Sequence, residues 1–310
     1  MKNSVKRLLA VLMTATMTTG ALTACGGSSA SSGAASSSAG SAAASSAAAS
    51  SAAVEEEYGP VLTRIKESGK MVLGTASGYM PYEFIDISSA DQPVIGVDMA
   101  MGEKIAEKLS EKLGVEVEME IEDTTFSNTL AAIAADQVDI MIAGMSPTEE
   151  RKQSMDFSDV YLKAEQRIMV RKEDADQYTD LSAFAGKTIA VQKTTTQEKI
   201  AQDLLTDSSI TSLEKIPVCV LELTTGKADA VVIESTVAQP YLIANPDLVL
   251  CEATFPEERL YKDTAIAVPK GNEDFLEIIN ETIAECQDAG LVDQWIADYS
   301  AICAENNAAS

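Results

Sequence analysis

The chain has 310 residues, 46% hydrophobic but only 5% aromatic, so its apolar content is mainly aliphatic, as in a globular α/β protein. Twenty-three Lys and Arg stand against 48 Asp and Glu; the formal charge of −25 repels phosphate backbones and speaks against nucleic-acid binding. The sequence contains no histidine, which removes Ser-His-Asp and Cys-His nucleophile pairs and every His-ligated zinc or haem site.

Residues 1–24 read as a signal peptide: Lys2, Lys6 and Arg7 precede an apolar run too short and too threonine-rich to span a membrane permanently. The segment ends in Leu22-Thr23-Ala24-Cys25-Gly26. This resembles a bacterial lipobox, which implies cleavage before Cys25, a diacylglycerol on its thiol and palmitate in the anchor; an ordinary signal with an incidental cysteine is the alternative. Residues 26–53 contain only Gly, Ser and Ala and cannot bury apolar surface, so 25–57 is expected to be a tether with an r.m.s. span of roughly 30 Å. Lipid and tether together place a folded domain, starting near Tyr58, on the outer side of a cell membrane.

From there strands alternate with helices. Residues 71–75 form an apolar strand; Met101, Ile105, Leu109 and Leu113 recur at helical spacing up to Gly114. Val115, Val117, Met119 and Ile121 alternate with glutamates, the period of a half-buried strand. A helix over 126–136 and a strand over 139–143 follow. The second half repeats the scheme: strand 188–192, helices 197–205 and 217–225, strand 229–234, helix 236–244, strand 265–269, helices 273–287 and 292–299. The alternation predicts an α/β fold with a parallel, doubly wound sheet. No glycine-rich phosphate loop or cofactor motif is present, and no cysteine spacing suits a metal. Bridges Cys219–Cys251 and Cys286–Cys303 fit the spacing, as do four free thiols.

Such sheets bind ligands beyond the carboxyl ends of their strands. Three of those junctions stand out. In the first, Gly144 permits close backbone approach, and Ser146, Pro147 and Glu149 have the form of a capping box opening a helix, with Arg151 one turn on. A guanidinium beside a helix N-terminus is a carboxylate receptor, although the residues alone favour a surface arginine paired with Glu149, Glu150 or Asp156. In the second, Thr194, Thr195 and Thr196 offer hydroxyl donors or a simple N-cap. In the third, Glu234 ends an apolar strand, where it suits an ammonium or caps the next helix. Together the three propose a ligand with a carboxylate and an ammonium, an α-amino acid.

The stretch Gly144-Met145-Ser146-Pro147-Thr148-Glu149-Glu150-Arg151, running on through Phe157, Ser158 and Asp159 to Tyr161, resembles the family 3 extracellular solute-binding proteins of ABC transporters, the polar amino-acid-binding group. Further matches run in order: Gly74 with Tyr79 to Phe84, Gly96-Val97-Asp98, Val191 to Glu198, and Thr225 to Glu234. The resemblance spans residues 58–300. It implies a two-lobe, periplasmic-binding-protein-like (type II) fold with a two-strand hinge, crossing near 162–165 and 261–264. Lobe one is then 58–164 plus 263–310, and lobe two 165–262. It also implies a non-enzymatic, monomeric receptor that delivers a free amino acid to ABC permease subunits.

By matched position, the resemblance gives Arg151 to the ligand carboxylate, with Ser146, Thr195 and Thr196 as further donors. Glu234, usually aspartate, goes to the ammonium, and Tyr79 and Phe126 to the two faces of the ligand. Gly144 stands where a serine often serves the ammonium, leaving that contact to its carbonyl. Thr194 replaces a usual glycine. Val97 stands where an aromatic is common and Ala100 where an acid is usual, both on a structural helix. Ala76 stands where members selective for basic amino acids often carry an acid, which leans away from lysine or arginine. A sensor presenting ligand to a membrane receptor, or a secreted dehydratase on the same fold with Glu234 as acid, are the alternative functions.

Overall fold

The computed structural model describes residues 58–309, so the expected signal peptide, Cys25 and the tether lie outside the described residues. Eleven strands occur among those described. In chain order they are β1 (Lys70–Thr75), β2 (Phe84–Ile85), β3 (Val94–Ile95), β4 (Glu118–Asp123), β5 (Ile140–Met141), β6 (Met155–Arg171), β7 (Thr188–Gln192), β8 (Ser209–Leu213), β9 (Ala230–Glu234), β10 (Leu248–Leu250) and β11 (Tyr261–Pro269). The main path runs β4-β1-β5-β11-β6-β9-β7-β8, with β10 on β6 and β2 paired to β3 alone.

The path contains two parallel triads. β1 lies between β4 and β5, and β7 between β8 and β9. The parallel sheet expected from the alternation is confined to these triads, because β6 and β11 pair antiparallel with each other and with β9 and β5. The reason is topological: β6 carries the chain out of one triad and into the other, and β11 brings it back. Residues 162–165 of β6 pair with 264–261 of β11, while the distal part of β6, 166–170, pairs with β9. Register shifts break the β6–β11 ladder on either side of Ala265, an irregularity that bends and twists a strand pair.

The helices flank the triads: α1 (Pro60–Ser68), α2 (Val97–Leu113), α3 (Phe126–Ala134), α4 (Thr196–Leu204), α5 (Ile216–Thr224), α6 (Ser235–Ala244), the short α7 (Glu257–Leu260), α8 (Glu273–Asp288) and α9 (Leu291–Ala309). On one side Leu73, Ile105, Leu109, Phe275 and Ile279 bury a core between β1, α2 and α8. On the other, Ile168, Phe184, Ile189, Val191 and Ile200 bury a second. Central positions of these helices and strands match the sequence expectation to within a residue or two, with α2 stopping at Gly114. The strand expected over 139–143 shortens to two residues, and the last helix runs to Ala309 instead of ending at 299. None of the described helices is long and apolar enough to cross a membrane.

Cys219, Cys251, Cys286 and Cys303 are all free and buried, which resolves the alternatives left by their spacing in favour of thiols. Cys219, Cys251 and Cys286 sit in three separate cores, each filling space as a small apolar side chain. Burial pushes the Cys219 and Cys303 thiols up to about 12. A thiol reagent at neutral pH is therefore expected to leave all four untouched in the folded protein and to label four in denaturant. Labelling of two or fewer after unfolding without reductant would contradict free thiols.

Candidate functional site

The carboxyl ends of both triads point at one place. The loops following β1, β4, β5 and β7 meet around a small pocket whose wall includes Tyr79, Phe126, Gly144, Ser146, Arg151 and the threonine turn. The structure thus brings seven of the eight candidates (Tyr79, Phe126, Gly144, Ser146, Arg151, Thr195 and Thr196) into one wall, and sets Glu234 immediately behind it.

Arg151 does not follow a helix. Between β5 and β6 the chain makes only a one-turn 3-10 segment, Arg151–Gln153, and the capping box expected at Ser146, Pro147 and Glu149 does not form. The chain re-enters a strand at Met155, which leaves no room for a helix, and proline disfavours helical backbone at the residue before it. Glu149 instead pairs with Lys152 at 2.8 Å, and Asp156 with Lys270 at 2.6 Å. Freed from those acids, the Arg151 guanidinium donates to the Ser146 carbonyl and, across the pocket, to the Thr194 carbonyl, both at 2.9 Å. It stands 5.2 Å from the centre of the Phe126 ring. Burial draws its pKa down to about 10 against the pull of Glu150, so it stays cationic at neutral pH. The Ser146 hydroxyl is buried with no hydrogen-bond partner among the described residues.

At the second junction Thr195 is the N-cap of α4: its hydroxyl accepts from Glu198 N at 3.2 Å and donates to the Gln192 carbonyl at 2.6 Å. Thr194 adopts φ +61°, the left-handed conformation that a glycine would take without strain. Its amide donates to the Glu198 carboxylate at 2.7 Å, which holds the turn in place.

Gly144 also has positive φ, and a Cβ there would lie 2.8 Å from the Tyr79 ring. The amide of Gly144 donates to Asp98 and its carbonyl accepts from Lys262. Glu234 is fully buried at the end of β9, and its side chain caps no helix. Its Oε1 accepts from Lys262, Tyr79 and, at 3.5 Å, Gln197; its Oε2 accepts from Tyr82 at 3.3 Å. Burial and the adjacent Glu234 charge push both tyrosine phenols well up, which keeps them as donors.

Sequence reasoning missed Lys262, Glu83, Asp98 and Gln197. The signal for Lys262 was its place in the second crossing segment, which necessarily passes over the cleft. Glu83 is fully buried facing Asp98; burial, then repulsion by Asp98, push its pKa well up against the pull of Lys262. Burial raises the Asp98 pKa as well, opposed by the Tyr161 hydroxyl at 2.7 Å and the Gly144 amide at 2.8 Å, which both donate to its carboxylate. No described group of His, Cys, Asp and Glu could hold a metal ion.

Two outcomes follow from this geometry. Thr194→Gly should raise stability by up to about 1 kcal/mol in chemical unfolding, the relief of a left-handed β-branched residue less the entropy of glycine; destabilisation would show that the side chain is needed there. Glu83 has a folded pKa above its unfolded value, so its contribution is complete below the ordinary glutamate range and is lost as pH rises toward the folded value. Glu83→Gln should therefore flatten the fall of unfolding free energy with rising pH, and parallel curves for the two proteins would contradict a raised Glu83 pKa.

The model of the bacterial extracellular solute-binding proteins, family 3, matches residues 71–301. The arginine-binding extracellular protein ArtP of Bacillus subtilis is 29% identical over 235 residues, 74% of this chain and 86% of that protein. Among solved structures, an amino-acid ABC transporter substrate-binding protein, AbpA of Streptococcus pneumoniae bound to L-arginine, superposes with a TM-score of 0.73 at 30% identity, covering 78% of this chain and 98% of that one. The ancestral amino-acid-binding protein AncCDT-1, a precursor of cyclohexadienyl dehydratase, superposes with a TM-score of 0.67 at 28% identity, covering 77% and 98%.

Proposed function

The chain belongs to the bacterial extracellular solute-binding proteins of family 3, and from that membership we propose that it is a receptor that holds an α-amino acid between two closing lobes and delivers it to an ABC permease for uptake. It acts by binding alone, as a monomer anchored through a lipid on Cys25 and carried on the 25–57 tether. The observation that supports this reading most is the convergence of both triads' carboxyl ends on Arg151, a half-buried cation whose two hydrogen bonds reach from the Ser146 loop to the threonine turn.

In this reading lobe one is 58–164 plus 263–310 and lobe two is 165–262, with the hinge at the paired crossing segments. A ligand carboxylate takes the guanidinium of Arg151 in two parallel bonds, with the unpartnered Ser146 hydroxyl and the backbone amides of the Thr195 and Thr196 turn as further donors. Tyr79 and Phe126 cover the faces of the ligand. Because these groups come from both lobes, the ligand binds the closed form better and shifts the population toward it. The closed form is the one a permease would recognise.

The pocket wall also bears on the side chain accepted. Arg151 and Lys262 line it as cations, burial pushes Glu83 toward its neutral form, and Ala76 supplies no charge. A cationic side chain would be repelled, so the cargo is a neutral or acidic amino acid, unlike the arginine of the pneumococcal protein. Calorimetric titration of protein stripped of carried-over ligand should give binding to one or a few neutral or acidic amino acids and none to arginine or lysine. Arg151→Ala should weaken that binding at least about 100-fold. Binding that survives Arg151→Ala would remove the carboxylate role, and tight arginine binding would overturn the selectivity.

A further inference from the structure

A site for an organic ammonium needs acceptors on several sides and gains from an aromatic face. Three such groups converge at the inner end of the pocket: the Glu234 carboxylate, the Gly144 carbonyl and the ring of Tyr79. The ammonium that occupies this site belongs to the chain itself. Lys262 Nζ donates to Glu234 Oε1 and to the Gly144 carbonyl, and it lies 5.4 Å from the centre of the Tyr79 ring.

Neither partner is held loosely. Lys262 sits in β11, paired with Ala164 of β6, and its side chain is 5% exposed; Glu234 is 0% exposed. The Oε1 atom of Glu234 is also crowded. Lys262, Tyr79 and Gln197 all donate to it, and Tyr82 donates to Oε2. A second ammonium arriving with a ligand would compete with these donors and would meet the like charge of Lys262.

We propose that Lys262 is a tethered ammonium that fills the α-ammonium position of the cleft, so that the protein recognises its cargo by carboxylate and side chain and does not select for an α-amino group. The inference rests on the receptor reading above and sharpens its ligand class. 2-Hydroxy acids and unsubstituted carboxylates enter with Lys262 in place, whereas an α-amino acid gains Glu234 and Gly144 only by displacing it. Lys262 thereby lowers the affinity for α-amino acids and widens the range of carboxylates accepted.

The test is titration of the purified, ligand-stripped protein with matched pairs, such as L-alanine and L-lactate, L-leucine and L-2-hydroxyisocaproate, and L-glutamate and L-2-hydroxyglutarate. For the pair that binds best, the hydroxy acid should bind within about threefold of the amino acid or more tightly. Lys262→Met should shift the preference at least tenfold toward the amino acid, and the ratio in the unaltered protein stands as a readout even if that variant folds poorly. Selection for the amino acid by about 100-fold or more in the unaltered protein, or an unshifted preference in a folded Lys262→Met, would overturn the inference and leave the receptor standing. Binding to neither member of any pair would overturn the receptor reading, and the inference with it.

Discussion

The antiparallel pairing of β6 with β11 is the constraint on which the rest of the molecule depends. A parallel strand triad buries its faces under helices and opens its carboxyl edge to ligands, but a single triad presents only one wall. Here the chain leaves the first triad along β6 and returns along β11, and the pairing of 162–165 with 264–261 turns the two carboxyl edges toward each other. Ser146, Arg151, the threonine turn and Glu234 lie far apart in sequence and on different strands. They share a site because two crossing strands fix the edges that carry them.

The same pairing sets the electrostatics. Lys262 is a residue of the returning strand, so its side chain is delivered into the cleft by the backbone ladder itself. Around it the charges are arranged in balance: Lys262 against Glu234, Asp98 accepting from a tyrosine and an amide, Glu83 pushed toward its neutral form by burial. A buried ion pair of this kind is costly to break from one side. Arg151 is the cation whose bonds go to carbonyls alone, which leaves its full charge for an arriving anion.

Much of the fold was legible because the triads obey simple rules. The alternation of Val115 to Ile121 and the spacing of Met101 to Leu113 each carry one clear period, and the structure places β4 and α2 on them. The seventeen-residue β6 was not legible. It buries different faces as it passes from one half to the other, and Asp156, Asp159, Lys163 and Arg167 interrupt any alternation. The capping-box signature before Arg151 misled for a different reason: local preference favoured a helix start, but β6 begins at Met155 and the chain takes a single turn before it. Among site residues, those following strands were found by position. Lys262 and Glu83 were not, because their chemistry arises from what folds against them and no local pattern marks it.

The central claim is that ligand is held between two lobes that close about the β6–β11 pair. It is tested most directly by small-angle X-ray scattering of ligand-stripped protein before and after saturation with the amino acid or carboxylate that binds. The account predicts a smaller radius of gyration on saturation, with no contraction in Arg151→Ala at the same ligand concentration. An unchanged radius at proven saturation would contradict it and place the ligand on a rigid surface instead of between moving lobes.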